Sequence, residues 1–216
     1  MIAFFNKLRS EAGGAALAAS AAPQRLTRHS SGMGEFLRRI KDQEGLRVLD
    51  LGPTSSKNIT FFTVQGNSIH NEDLLLESTL PAYVVRTPEG GRAIDQERFW
   101  EENLKLQPDS VDAVLCWDIP DYLEESLVKP FVERLHSITR PGGVLLAYFH
   151  TRDAGPEAPY YRYHVGTADS VDLQRGPNFR LQRVFNNRHI ENLFKDFASI
   201  KFFLSRDHIR EVLVIR

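Results

Sequence analysis

Cysteine is almost absent from this chain. It occurs once among 216 residues, as Cys116, so no internal disulfide bond can form. Cys116 lies between Leu115 and Trp117 in an apolar run, and a thiol in that setting is typically buried and unreactive. Such sparing use of cysteine is typical of a reducing compartment, and we therefore expect a cytoplasmic location.

Long apolar runs are also missing. No stretch reaches the roughly 20 consecutive apolar residues that cross a bilayer, so we expect no membrane partner. Residues 15–22 are rich in alanine and follow Lys7 and Arg9, but Glu11 and two glycines precede them. A cleaved leader is the alternative, and it would need a more hydrophobic run. We predict instead that residues 1–32 form a partly flexible N-terminal extension.

Neither sign of charge is in excess, since the formal net charge is −1. A nucleic-acid binder needs a basic surface, so the balance argues against a nucleic-acid partner. Metal-ligand spacings of Cys and His, the lysine-containing phosphate loop and the serine nucleophile elbow are all missing. We therefore expect no metal. The chain length suits one sizeable α/β domain.

The clearest signal present is a buried strand at residues 46–51 that leads into a turn and a helix. Val48, Leu49 and Leu51 suit a parallel strand that is covered on both faces. Asp50 has no packing reason to stand among them. Because open α/β sheets bind ligands outside the carboxyl ends of their strands, this acid is a candidate binding residue. The alternative is a carboxylate that only caps the turn.

Further strands are predicted along the chain, separated by helical patterns. They cover residues 67–71, 111–117 and 144–149, and the last two runs lie within 200–215. The connection between those last two runs is so short that it can join only antiparallel neighbours. Residues 151–180 are predicted to form an inserted loop or small ribbon. No third strand can be placed between the second predicted strand and the one that begins at 111.

This order resembles that of class I S-adenosylmethionine-dependent methyltransferases over residues 33–216. The resemblance is carried by residues 48–52, by the run 108–115, and by the Arg-Pro-Gly-Gly turn at 140–143. It implies an α/β, three-layer Rossmann-like sandwich, with a mostly parallel sheet of six to seven strands and a C-terminal antiparallel hairpin. It also implies S-adenosylmethionine as the cofactor.

The same resemblance implies a set of site residues. Asp50 and the turn after it would hold the methionine end of the cofactor. Glu72, shared with or replaced by Asp73, would take the ribose hydroxyls, although a solvated helix start is the competing interpretation. The predicted cofactor-binding residues are Asp50, Gly52, Pro53, Thr54, Glu72, Asp73 and Trp117.

The predicted catalytic residues are Asp118 and His150, which follow two neighbouring strands at the edge where an acceptor would bind. His150 would serve as a general base near neutral pH. Each has a simpler interpretation, because Asp118 can cap the turn after it, His150 can be a polar strand end, and Trp117 can be core. Four residues in the inserted segment predict either an acceptor pocket or a surface ribbon: Tyr160, Tyr161, Tyr163 and His164.

The sequence thus predicts methyl transfer from S-adenosylmethionine to a small or medium-sized acceptor. The sulfonium carbon is already activated, so positioning and desolvation carry the reaction and no conspicuous catalytic dyad is needed. The alternative is a non-catalytic binding or assembly module, because Thr54 and Ser56 stand where the family's turn prefers glycine. A nicotinamide enzyme is disfavoured, since no Gly-x-Gly-x-x-Gly follows the first strand. The sequence does not indicate an oligomeric state.

Overall fold

The computed structural model of the chain describes residues 25–152, 158–204 and 207–216. The strands are β1 (Arg25–His29), β2 (Arg47–Leu51), β3 (Ser68–Glu72), β4 (Val84–Arg86), β5 (Arg92–Ile94), β6 (Val111–Trp117), β7 (Thr139–His150), β8 (Ala158–Val165), β9 (Ser170–Phe179), β10 (Ser199–Leu204) and β11 (Ile209–Ile215). The helices are α1 (Ser31–Ile40), α2 (Ser56–Thr63), α3 (Leu74–Ser78), α4 (Gln96–Glu102), α5 (Ile119–Tyr122), α6 (Glu125–Ile138) and α7 (Asn187–Leu193).

The main sheet has six strands in the order β10-β11-β7-β6-β2-β3. The four strands β3, β2, β6 and β7 run parallel, and the hairpin of β10 and β11 joins β7 antiparallel. The predicted fold class is confirmed, including the closing hairpin. Residues 140–143, which the sequence predicts as a turn, lie in the first part of β7 instead, with Gly142 in the left-handed region at φ 81°.

Successive residues of the central strands face opposite sides of the sheet, which gives three layers. Val48, Leu115 and Leu146 belong to a core with α1, α2 and residues of β8 and β9. Leu49 and Cys116 belong to the other core, with α3, α4, α6 and α7. The strands are covered on both faces, as their near-continuous apolar runs predict. Cys116 is fully buried, and that burial raises the pKa of its thiol.

A second, small sheet has the order β1-β9-β8 and covers the edge at which β2 and β6 end. We call it the small sheet. The predicted ribbon at 151–180 corresponds to β8 and β9, and residues 153–157 of that segment lie outside the described residues. Residues 25–32, which the sequence assigns to an extension, pair as β1 and begin α1. The rest of that predicted extension, residues 1–24, lies outside the described chain.

One buried ion pair fastens the small sheet to the main one. Arg28 Nη2 on β1 donates to Glu211 Oε1 on β11 at 2.6 Å, and Gly32 N donates to Glu211 Oε2 at the same distance. Glu211 is 1% exposed. The carboxylate therefore gains charge-assisted hydrogen bonds from two sides, which a buried charge requires. Because β1 has few apolar residues, the ion pair between Arg28 and Glu211 helps to hold it against β11.

No strand lies beyond β3 in the main sheet of the described residues. The segment between α3 and β6, in which no third strand is predicted, contains a separate hairpin of β4 and β5 instead. Pro81 opens a short 3₁₀ turn just before it. None of the described helices has the length and apolar character needed to cross a membrane. The described residues also contain no grouping of His, Cys, Asp and Glu suited to a metal ion.

Candidate functional site

Asp50 lies at the carboxyl end of β2, where the sequence predicts a binding acid. It is 2% exposed. Its Oδ1 accepts a 2.7 Å hydrogen bond from Trp117 Nε1, and its Oδ2 accepts a 2.8 Å bond from Asn58 Nδ2. Burial raises the pKa of Asp50 to about 6, although both hydrogen bonds favour the charged form. Each carboxylate oxygen thus has a donor from the protein itself.

The turn after Asp50 is covered by aromatic rings. A methyl group placed on Gly52 would lie 3.3 Å from Trp117 Cδ1 and 3.6 Å from the Tyr160 hydroxyl oxygen. Tyr160 comes from β8 of the small sheet and is 1% exposed. Its hydroxyl has no hydrogen-bond partner among the described residues. The space that glycine leaves at this turn is therefore occupied by the chain's own side chains.

Trp117 holds an unusual conformation at the end of β6. Its φ is 50°, in the left-handed region, and the pairing of β6 with β7 shifts register between Leu115 and Trp117. The indole stacks on Tyr163 of β8, with ring centroids 4.9 Å apart and planes 10° apart. A bulge of this kind redirects a side chain. Here it turns the indole towards Asp50 and under the small sheet.

Polar side chains brace the turn itself. Asn71 Nδ2 on β3 donates to the carbonyl oxygens of Asp50 and Gly52, both at 2.9 Å. Thr54 donates its hydroxyl to Asn71 Oδ1. Pro53 is half-buried and Thr54 is exposed. The Thr54 hydroxyl is thus used in a hydrogen bond within the protein that supports the turn.

Glu72 ends β3, beside an open cleft of about 600 Å³. Its register partner in β2 is Leu51, so it lies at the same sheet edge as Asp50. Glu72 Oε1 accepts a 2.6 Å hydrogen bond from Leu104 N. Asp73 accepts from Leu76 N at 3.2 Å and caps α3, which matches the helix-start interpretation. The two carboxyl groups predicted to share one ligand therefore differ, since Asp50 is enclosed and Glu72 borders open space.

A second polar cluster lies at the ends of β6 and β7. Asp118 is fully buried, and its Oδ2 accepts a 2.7 Å hydrogen bond from the Tyr163 hydroxyl. Asp121, also fully buried, accepts from His150 through both the backbone N, at 2.6 Å, and Nδ1, at 2.8 Å. Asp118 Oδ1 and Asp121 Oδ1 have no partner in the described chain. Of the predicted catalytic residues, Asp118 thus belongs to a buried acidic cluster, and His150 contacts that cluster through Asp121.

The protonation of this cluster follows from burial and charge. Burial raises the pKa of Asp118. Burial also raises the pKa of Asp121 to about 6, against the opposing effect of His150. For His150, burial alone would favour the neutral ring, but the hydrogen bond to Asp121 and the charge of Asp118 outweigh it and raise its pKa. His150 and Asp121 therefore form an ion pair that holds a proton more firmly than a free histidine.

Sequence reasoning did not identify Asn58, Asn71 or Asp121 as site residues. Asn58 follows Asp50 by eight residues and has its Nδ2 2.8 Å from Asp50 Oδ2. Its position in the first turn of α2 is a signal that was available. Asp121 follows Asp118 by three residues, but its contact with His150 depends on the pairing of distant strands. The sequence predicts that the tyrosines of the inserted segment form either an acceptor pocket or a surface ribbon, and the structure places Tyr160 and Tyr163 against the site.

The strand order, the closing hairpin and the acids at the strand ends define a Rossmann-like α/β protein. No family model and no curated protein matches the sequence. Among solved structures, the chain is similar to 1,6-didemethyltoxoflavin-N1-methyltransferase from Burkholderia thailandensis, with bound 1,6-didemethyltoxoflavin and S-adenosylhomocysteine. The identity is 15%, the match covers 86% of this chain and 76% of that one, and the TM-score is 0.48.

Two further solved structures are S-adenosylmethionine-dependent methyltransferases. The one from Methanosarcina mazei has 11% identity, covers 81% of this chain and 93% of its own, and gives a TM-score of 0.47. The one from Aquifex aeolicus has 14% identity, covers 85% and 88%, and gives a TM-score of 0.43. At these identities the likeness concerns the fold, and a fold alone does not establish an activity.

Proposed function

We propose that this protein transfers a methyl group from S-adenosylmethionine to a small or medium-sized acceptor. The observation that carries the proposal is the placement of Asp50 and Glu72 at the ends of two adjoining parallel strands, where Glu72 borders an open cleft. Ligands of open α/β sheets bind at this edge. When bound, the cofactor would supply a methyl group on a sulfonium, which needs positioning more than activation.

The two halves of the edge fit the cofactor differently. Glu72 borders a cleft large enough for a nucleoside, and its carboxylate can accept from ribose hydroxyls. The half at Asp50 does not fit a ligand while Trp117 and Asn58 hold both carboxylate oxygens and Tyr160 covers Gly52. Binding of the methionine end therefore requires the Trp117 and Tyr160 rings to move, and part of the binding free energy must offset that movement.

The chain's own groups can handle a proton at the acceptor side of the edge. His150 is partly exposed, with 15% of its side chain accessible, and its Nδ1 lies 2.8 Å from Asp121. With Nδ1–H directed at Asp121, Nε2 is the atom that accepts a proton from an acceptor hydroxyl or amine. Because Asp121 raises the pKa of His150, we expect this step to become faster as the pH rises through that raised value.

Calorimetric titration of the full chain with adenosine and with S-adenosylhomocysteine tests this function. Adenosine should bind at the Glu72 cleft, and Glu72→Gln should weaken both ligands about tenfold or more, because it removes a charged acceptor. Glu77→Gln, which changes another acid of the same cleft, is the matched control and should have little effect. Tyr160→Leu uncovers Gly52, so it should strengthen S-adenosylhomocysteine but not adenosine.

One observation favours a second function, that of a binding module without catalysis. Both oxygens of Asp50 are hydrogen-bonded within the protein, so the acid already has a complete structural role. In that case neither ligand would bind at millimolar concentration, and Tyr160→Leu would not create binding. That result, obtained with variants that melt cooperatively, would overturn the proposed methyl transfer.

A further inference from the structure

A second hollow has two lining residues, Tyr122 and Phe179, whose rings contact Tyr160, and the function proposed above does not assign it. It has a volume of about 290 Å³ and lies between α3, the β4–β5 hairpin, α5 and the end of β9. Its walls include Leu75 and Ile94, which are buried, and Phe179, which is half-buried. A 150 Å³ apolar cavity accepts benzene, so this volume suits about two fused rings. We call it the hairpin cavity.

Two cations line the hairpin cavity. Arg92 of β5 and Arg180, just after β9, both have exposed side chains there. Neither forms an ion pair or side-chain hydrogen bond within the described residues, whereas the nearby Arg98 and Arg183 are paired with Glu102 and with a glutamate at the start of α6. Unpaired guanidinium groups beside the apolar part of a hollow with a mixed lining suit a carboxylate ligand, which they bind through two parallel hydrogen bonds.

The other polar groups of the hairpin cavity narrow the choice of ligand. The hydroxyl groups of Ser78 and Thr79 already donate to the backbone of α3, each at 2.7 Å, so they can only accept from a ligand. Glu124 also lines the cavity and carries the opposite charge. Two guanidinium groups against one carboxylate leave a modest positive excess. That balance favours a single negative charge over a doubly charged phosphate ester.

Aromatic contacts link the hairpin cavity to the site at the strand ends. Tyr122 lines the cavity, and its ring lies 5.6 Å from that of Tyr160 and 5.8 Å from that of His150, between centroids. Phe179, which also lines the cavity, has its ring centroid 5.5 Å from that of Tyr160. A molecule in the cavity would therefore contact the rings that hold Tyr160 over Gly52.

We propose that the hairpin cavity binds a small aromatic or apolar molecule that carries one carboxylate, held by Arg92 and Arg180. If the chain is a methyltransferase, this molecule is the acceptor. Only its role as acceptor rests on the proposed function. The binding itself does not, because the cavity, its charge and its walls are separate from Asp50 and Glu72.

Calorimetric titration of the full chain, without any nucleoside, tests the proposal with three probes of one shape. Naphthalene-2-carboxylate should bind saturably, and at least fivefold more tightly than neutral 2-naphthylmethanol or the dianion 2-naphthyl phosphate. Arg92→Gln and Arg180→Gln should each remove most of the preference for the carboxylate and leave the neutral probe unchanged. Arg188→Gln, an exposed arginine on α7, is the matched control and should keep the full preference.

Equal affinity for the carboxylate and the neutral probe, or no saturable binding of the carboxylate at millimolar concentration, would overturn the proposal. Tighter binding of the phosphate ester would overturn the single-charge assignment. The arginine variants should bind adenosine as the unmodified chain does. Failure of the hairpin cavity is therefore distinguishable from failure of the nucleoside cleft.

Discussion

The indole Nε1–H of Trp117 donates a 2.7 Å hydrogen bond to Oδ1 of Asp50. The two residues come from the ends of β6 and β2, so the bond crosses the edge at which an open α/β sheet binds its ligands. Trp117 holds a positive φ of 50°, which costs a non-glycine residue on the order of 1 kcal/mol or more. The hydrogen bond and the stacking on Tyr163 offset that cost. The acid at this edge is therefore part of a closed structural unit.

The buried carboxyl of Asp50 should make stability depend on pH. Its pKa is raised to about 6 in the folded chain, so its contribution is full below about 4, the ordinary value, and is lost as the pH rises through 6. Asp50→Asn should remove up to about 3 kcal/mol of that change. Urea unfolding at pH 4, 5, 6 and 7 measures it. Trp117→Phe keeps the carboxyl, so the dependence of its free energy of unfolding on pH should persist or steepen. An unchanged pH dependence in Asp50→Asn would contradict the raised pKa of Asp50.

The hydroxyl of Tyr163 is the one side-chain donor to Asp118 within the described chain. Tyr163→Phe should therefore destabilise the protein by about 1–3 kcal/mol, because it leaves a buried carboxyl without its side-chain donor. The loss should shrink as the pH falls, since the variant raises the pKa of Asp118 further. Tyr161→Phe, a half-buried neighbour, is the matched control and should cost less than about 0.5 kcal/mol in urea unfolding. Equal costs for the two variants would count against the bond.

The pairing of His150 with Asp121 should be visible by NMR. Asp121→Asn removes the negative charge at 2.8 Å from Nδ1, so the pKa of His150 should fall relative to the unmodified chain. The folded pKa of His150 is raised, so the stability gained from its protonation is lost as the pH rises through the folded value. The ion pair also weakens as the pH falls through about 6, because Asp121 then takes up a proton. Titration of the Hε1 shift checks the change, with the His189 signal as an internal control. An unmoved His150 titration would show that the pair is not formed in solution.

Arg28 offers a direct comparison of a buried and an exposed ion pair. Its guanidinium lies 2.6 Å from Glu211, which has 1% of its side chain exposed, and 2.8 Å from Asp207, which has 43% exposed. Glu211→Gln should cost about 3 kcal/mol or more, because it removes the charge of one partner of a buried ion pair. Asp207→Asn should cost less than about 1 kcal/mol. Both values come from urea unfolding at one pH, and the reverse order would mean that the exposed pair holds β1 in place.

The main sheet could be predicted from sequence because its strands are local apolar runs. Residues 111–117 and 144–149 read as buried strands, and the short connection near the end required an antiparallel pair. β1 could not be predicted in this way, since it has one apolar residue between Arg25 and His29. Its register partners in β9 are about 145 residues away, as in the contact of Thr27 with Asp172. Pairings at such separations leave no local periodicity.

The position of Asp50 was predictable, but its partners were not. The strand pattern identified an acid at the end of β2, whereas the donor Trp117 comes from a strand 67 residues later. The orientation of the Trp117 indole depends on a register shift and a positive φ, neither of which can be recognised in the sequence. The covering ring of Tyr160 likewise depends on how the small sheet docks. Sequence thus located the edge of the sheet, and tertiary packing decided which groups fill it.

Asn58 joins three parts of the molecule through one side chain. Its Nδ2 donates to Asp50 Oδ2 and to the carbonyl oxygen of Tyr163, and its Oδ1 accepts from Val165 N. The three hydrogen bonds of the Asn58 side chain are coupled, because a fluctuation that breaks one of them also disturbs the other two. The backbone amide of Val165 should therefore exchange its hydrogen only in local openings that also expose the Asp50 carboxyl to water. The two regions would then open as a single cooperative unit.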